Sequence, residues 1–295
     1  MFHEYALEPA VLSNWERTRF FLDAFGPWRG RFLAKFPKHW KRMVFERLRC
    51  PDVERLRIVE RLTCLDPRVF SPRHGPYDPE KPWLENALLE HRRSPFRAIV
   101  ADQATEGGIL DAGAVDDRSD LWRVDTGAVV PREAAAFVKA LELLLLASSR
   151  VVLVDPYFRA DHYDKTYALV AFCGAVANSA TTVEVHFSEE ARGYTDCMRA
   201  AARNLPGFLP RGSKVTLRCW RQRPGGPRLH NRYVLTDIGG VKFGDSIEVG
   251  DPGHEDHLSI LDEPSRVLLW EQFVGNSPGF DEAGPSQEFV GALSG

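Results

Sequence analysis

His230 and Arg232 stand one residue apart in the run Leu229-His230-Asn231-Arg232-Tyr233-Val234-Leu235-Thr236-Asp237, and Gly244-Asp245-Ser246 follows after six further residues. Alternate residues of a strand share a face, so the imidazole and the guanidinium are expected to project together while Tyr233 and Leu235 pack behind the sheet. An imidazole beside a fixed cation, with a Gly-Asp-Ser turn close by, suits phosphodiester chemistry. The ring attacks phosphorus, and the guanidinium and the Ser246 hydroxyl hold the non-bridging oxygens as charge develops. Asp237 falls after the strand, where a buried carboxylate pins a turn and takes no part in the reaction.

Four arginines, Arg218, Arg221, Arg223 and Arg228, precede His230 and are expected to extend a positive groove toward it as substrate-binding groups. The cluster His254-Glu255-Asp256-His257 offers acids to orient an imidazole, but its spacing fits no zinc signature, so no metal is expected. Asp155, Tyr157 and Phe158, in the run Val-Asp-Pro-Tyr-Phe, read as a turn cap and as pocket wall at most. The chain contains no G-x-x-x-x-G-K-[ST] or G-x-G-x-x-G motif, so no nucleotide cofactor is expected.

The elements that must position these groups alternate in the second half of the chain. A helix is predicted over 132–147, a strand over 151–154, a helix over 167–177, a strand over 181–187, a helix over 194–205, and strands over 214–220 and 257–262. That order implies a sheet covered by helices. Before it, helices are predicted over 14–25, 38–49 and 51–65, and a short apolar strand over 96–100. Five prolines between residues 66 and 82 mark a boundary. The expected organisation is an all-helical N-terminal module over 1–80, an α/β domain over 81–275, and a Gly/Ser/Pro-rich surface tail over 276–295.

The spacing H-x-R-x4-D-x6-G-D-S, formed by His230, Arg232, Asp237, Gly244 and Ser246, resembles the H-x-K-x4-D-x6-G-S signature of the phospholipase D superfamily. The order of elements from about residue 150 to 273 resembles that family as well. Here Arg232 replaces lysine, Asp245 separates the glycine from the serine, and Glu248 stands two residues beyond Ser246. The resemblance implies a mixed sheet flanked by helices, a phosphohistidine intermediate, protonation of the leaving oxygen by a second histidine, and no cofactor. It also implies Asp256 as the acidic residue of the closing strand, and Asp237 and Gly244 as structural support. The family needs two histidines. The other eight lack the pattern, so a homodimer is expected to bring two copies of His230 together.

Composition narrows the setting. The 295 residues are 44% hydrophobic and 27% charged, an ordinary globular balance. No apolar run approaches the roughly 18 residues that span a bilayer, and the N-terminus has no secretory pattern, so no membrane partner is expected. Five scattered cysteines without a C-x-x-C pair point to reduced thiols in a cytoplasm. Residues 16–49 carry ten Lys/Arg against three acids, interleaved with aromatics, whereas residues 237–295 carry twelve acids against two bases. Phe21, Phe25, Trp28 and Phe32 have the spacing of one buried helical stripe, and the cations around them suit phosphate. The function expected is a nuclease acting on DNA ahead of RNA. The alternative is an impaired module that binds nucleic acid or phospholipid without cleaving it.

Overall fold

A computed structural model describes residues 1–73, 75–103, 107–176 and 180–292. The last residue of the predicted 167–177 helix and the last three of the predicted tail lie outside the described residues. The chain divides into two compact units, Phe2–Asp125 and Thr126–Gly295, each an α/β structure with its own sheet.

In the first unit, β1 (His3–Leu7), β2 (Arg31–Ala34), β3 (Phe70–Ser71), β4 (Ala98–Ala101) and β5 (Ile109–Asp111) form a wholly parallel sheet in the order β3-β2-β1-β4-β5. The three predicted helices are present as α1 (Trp15–Ala24), α2 (Trp40–Arg47) and α3 (Asp52–Thr63), and α4 (Trp83–Arg93) follows. Asn14 sets the start of α1 by accepting a hydrogen bond from the Arg17 amide at 2.9 Å. The expectation of an all-helical module is therefore corrected. These strands are two to five residues long and buried on both faces, so they carry no alternation to betray them. Tyr5, Leu7, Leu33, Ala98 and Val100 pack against α1, α2 and α3, whereas Ala6, Ala34, Ile99 and Ala101 face Trp83 and Ala87 of α4.

The predicted boundary near residue 80 also moves, to 125. Residues 98–100 of the predicted 96–100 strand belong to β4, which pairs with β1 and so binds the chain up to it into the first sheet. Phe21, Phe25 and Phe32 are fully buried as core rings, but not as one helical stripe. α1 stops at Ala24, Gly26 adopts φ 146°, and Phe32 lies on β2. A side chain at residue 26 would drive into the Trp28 ring, with a Cβ 2.5 Å from it.

The second unit holds β6 (Gly127–Pro131), α5 (Ala134–Ala147), β7 (Arg150–Val154), α6 (Tyr163–Val176), β8 (Thr182–Ser188), α7 (Tyr194–Phe208), β9 (Lys214–Arg221), β10 (Arg232–Thr236), β11 (Gly240–Phe243), β12 (Glu255–Ile260), α8 (Glu263–Phe273), β13 (Asp281–Glu282) and β14 (Gln287–Val290). The sheet order is β13-β9-β8-β7-β10-β11-β12-β6, with β14 also on β9. β7, β8 and β9 are parallel; β10, β11, β12 and β6 continue antiparallel. Val152, Val154, Trp220, Leu229, Tyr233 and Leu235 bury one face together with Phe273 of α8 and Phe280. β12 stops two residues short of the predicted strand because Asp262 leaves it to cap α8, accepting from the Ser265 amide at 2.7 Å.

Asp237 clamps the end of β10 to the start of β7. Its carboxylate accepts from the Ser149 amide (3.0 Å), the Ser149 hydroxyl (2.6 Å) and the Arg150 amide (3.2 Å). The expected tail is corrected as well. A segment rich in Gly, Ser and Pro reads as loop by composition, but Phe280 and Phe289 are buried, and β13 and β14 add to the edge of β9. Phe280→Ala should therefore cost about 3–5 kcal/mol in urea unfolding, the range for an emptied core phenylalanine, where a tail residue would cost nothing.

Candidate functional site

Three loops of the second unit converge where β7 ends and β10 begins. Leu229 anchors the approach to β10 in the core, and His230, exposed, precedes the strand. Across from it, β7 ends at Val154 and the chain turns through Asp155, whose Oδ1 accepts from the Tyr157 amide at 3.0 Å. That turn presents the Tyr157 ring. Its hydroxyl lies 3.1 Å from His230 Nδ1, with the two rings nearly perpendicular at 6.2 Å. The Arg232 guanidinium stacks over the same ring, 4.9 Å from its centroid, and Nη1 donates to the His230 carbonyl at 3.2 Å. His230 and Arg232 thus meet over a tyrosine.

Beneath Tyr157 the site is ionic. Lys165, on α6 and buried, donates from Nζ to Asp155 Oδ2 at 2.9 Å, pairs with Glu248 Oε2 at 2.9 Å, and lies 3.5 Å from Ser246 Oγ. Arg132, just after β6, pairs with Glu248 at 2.9 Å and with Asp245 at 2.6 Å. Burial alone would raise the Glu248 carboxyl, but Lys165 and Arg132 outweigh it and hold it below the usual carboxylate range. The intervening Asp245 is mostly exposed and turned to Arg132. Ser246, expected beside the reacting phosphate, is buried against Lys165, and among the described residues no hydrogen bond joins it to His230 or Arg232.

Asp256, expected as an acid of the site, is buried and committed to the turn after β11. Its Oδ1 accepts from the amides of Gly244 (3.1 Å), Asp245 (3.0 Å) and His257 (2.7 Å). Gly244 permits this approach, since a Cβ there would sit 3.0 Å from that oxygen. Support of the motif therefore falls to Gly244, Asp237 and Asp256 together.

The expected row of free arginines is corrected in three places out of four. Arg218 pairs with Glu184 and Glu282, Arg221 with Glu189, and Arg223 with Asp281, because β9 runs beside acids on β8 and on the C-terminal strands. Arg228 remains, exposed, on a cleft of about 200 Å³ shared with His230, Asn231, Tyr233, Gln272 and Phe273. Deeper in the sheet, His186 is fully buried and its imidazole is pushed down in pKa by burial, against the pull of Glu184. It accepts from the Trp220 indole at 3.1 Å on Nδ1 and sits 3.2 Å from Glu184 on Nε2, a framework role. Among the described residues, no group of three or more His, Cys, Asp and Glu stands where it could hold a metal ion, and no helix is long and apolar enough to cross a membrane.

No family model and no curated protein matches the chain. Among solved structures, that of TrmBL2, described as an archaeal chromatin protein with a novel mode of DNA binding, is similar at a TM-score of 0.30 and 11% identity over 58% of each chain. A likeness of that degree bears on neither fold nor function.

Tyr157, Lys165, Arg132 and Glu248 carry the site, and the motif names none of them. The run Asp-Pro-Tyr-Phe at a strand end was a signal for Tyr157. Nothing local marks Lys165, whose partners lie 10 and 83 residues away in sequence. Lys165→Met should cost about 3–5 kcal/mol in urea unfolding, because it leaves Asp155 and Glu248 without their shared counter-charge. With its folded pKa depressed, Glu248 contributes stability above its ordinary value of 4.5 that is lost as pH falls. Thermal melts between about pH 6 and pH 3 should accordingly decline less steeply in Glu248→Gln than in the parent.

Proposed function

We propose that the chain is a metal-independent phosphodiesterase of the phospholipase D kind that cleaves nucleic acid, DNA ahead of RNA, with His230 of two copies serving one phosphorus centre. The contact between the Tyr157 hydroxyl and His230 Nδ1 carries this reading. A hydroxyl can either accept or donate, whereas a carboxylate only accepts. When Nδ1–H donates to the phenolic oxygen, Nε2 keeps its lone pair and can attack phosphorus. When the phenol donates to Nδ1, Nε2 bears the proton and can deliver it to a leaving oxygen. One chain supplies one such ring, and a two-fold dimer supplies both roles.

In the first step a bond forms from Nε2 to phosphorus, and the leaving oxygen departs with the proton of the second imidazole. In the second, that imidazole takes a proton from water, the water oxygen attacks phosphorus, and the bond to His230 breaks. Arg232 is positioned by stacking with guanidinium hydrogens to spare, and with Arg228 on the cleft it can hold the non-bridging oxygens. The preference for nucleic acid over lipid rests on these guanidiniums and on the basic residues 16–49. Five free cysteines, three of them buried, support a reducing, cytoplasmic setting.

A second reading, phosphate binding without turnover, draws on Asp256, whose Oδ1 is taken by three backbone amides and which, among the described residues, makes no hydrogen bond to an imidazole. Assays on single- and double-stranded DNA, RNA and phospholipid vesicles, all with EDTA present, separate the readings. Cleavage of DNA is expected, falling about 10²–10⁴-fold in His230→Ala. In Tyr157→Phe it should fall about tenfold, the worth of one hydrogen bond of ~1.4 kcal/mol. Mixing the parent with His230→Ala should lower activity as the square of the parent fraction. Binding without cleavage of any substrate would favour the second reading, and turnover untouched by His230→Ala would sink the first.

A further inference from the structure

The first unit carries a cavity of about 250 Å³ that His230 and its neighbours do not explain, lined by Lys35, Lys38, His39, Lys41, Arg42 and Phe70 among others. Lys35, Lys38, Lys41 and Arg42 fall within eight consecutive residues, 35–42, and among the described residues no acid lines the space. Among the described residues Arg42 alone of the four has an ion pair, with Glu46 one helical turn on at 3.3 Å, on a face open to solvent. The nearby Asp66 carboxylate is taken by Arg68. The Lys41 ammonium lies over the Phe70 ring at 5.5 Å and is pushed below its ordinary pKa, first by burial and then by Lys35. Cations gathered round one cavity repel one another, and a bound anion relieves them.

The place in the fold points the same way. Lys35 follows β2 directly, and β2 belongs to an open parallel sheet, whose ligands characteristically sit beyond the carboxyl ends of the strands. The chain then enters α2, so the first turn of that helix borders the cavity through Trp40, Lys41 and Arg42. Its cap residue, His39, makes no side-chain hydrogen bond to the helix amides, and the partial positive charge of that end adds to the lysines. Phe70 supplies an apolar wall.

We propose that this cavity binds the phosphate group of a small phosphorylated molecule. A polymer backbone is neutralised by cations spaced along a groove, whereas these four line a single cavity. The volume lies just under the roughly 300–1,000 Å³ of drug-sized ligand clefts, enough for one or two phosphates and a small body against Phe70. The site does not include His230, but its cations belong to the basic stretch 16–49 on which the preference for nucleic acid draws, so a DNA duplex is the competitor that separates the two uses.

Titration calorimetry on the full chain tests it, with inorganic phosphate, pyrophosphate and AMP as probes and a short DNA duplex as competitor. Saturable one-to-one binding of at least one small probe is expected, unchanged in His230→Ala. It should weaken about ten- to hundredfold in Lys38→Ala/Lys41→Ala, as charge-assisted hydrogen bonds are lost. Lys35→Gln/Lys38→Gln alters only exposed side chains and should weaken binding in the same direction, which covers the case that the first variant misfolds. Absence of saturable binding by all three probes, equal affinity in the lysine variants, or binding of the duplex alone would each overturn the assignment.

Discussion

A lysine side chain buried as deeply as that of Lys165 needs partners in place, because the cost of leaving water must be met by nearby negative charge. Asp155 and Glu248 meet it, each at 2.9 Å. Those two acids sit on different loops, one following β7 and the other following β11. The pairing therefore does more than neutralise a charge. It fixes the distance between two chain segments, and Tyr157, held by the same Asp155 through its other oxygen, is placed as a consequence. His230 and Arg232 find Tyr157 where the lysine has put it.

Charge in this region is matched outward in shells. Arg132 takes the second oxygen of Glu248 and also Asp245, so that both acids added near the Gly-Asp-Ser turn are answered by one guanidinium. Farther along the sheet, burial would raise the Glu184 carboxyl, but His186, Arg150 and Arg218 overcome it and hold it at about 2. Three of the four arginines before His230, Arg218, Arg221 and Arg223, belong to this framework: they are paired with acids of the sheet and its edge. What stays open to an anion is narrow, consisting of Arg228, the spare hydrogens of Arg232 and the free nitrogen of His230. Narrowness of this kind suits recognition of a single phosphate group.

How much of this was legible in the sequence depended on the range of the interactions involved. Helices announce themselves locally, and Asn14 with α1, or the apolar run of α5, needed no knowledge of the rest of the chain. Strands β7, β8 and β9 showed as β-branched runs between helices, and the Asp237 clamp followed from its place after a strand. The parallel sheet of the first unit stayed hidden, because strands as short as Phe70–Ser71 acquire their identity only from the neighbours they pair with. β14 stayed hidden for the same reason, its signal diluted by Gly, Ser and Pro. In the site, the spacing of His230 and Arg232 singled out the pair, but His230 precedes β10 and the two meet over Tyr157 and not by strand alternation; Lys165 was not visible, since a lysine on a helix is ordinarily a solvated one.

The departures from the H-x-K-x4-D-x6-G-S spacing look unrelated in sequence and are coupled in space. A lysine at position 232 could supply charge but could not lie flat on Tyr157 while donating to the His230 carbonyl; a planar guanidinium does both. A point-charge ammonium is present all the same, contributed by Lys165 from another element and set against Ser246. The extra Asp245 is matched by Arg132, and Glu248 is shared between Arg132 and Lys165. Each change taken alone would unbalance the charge round the turn. The motif keeps its cation in Arg232, Lys165 and Arg132 add two more from other elements, and Asp245 and Glu248 hold those two in place beneath His230, whose imidazole is left open.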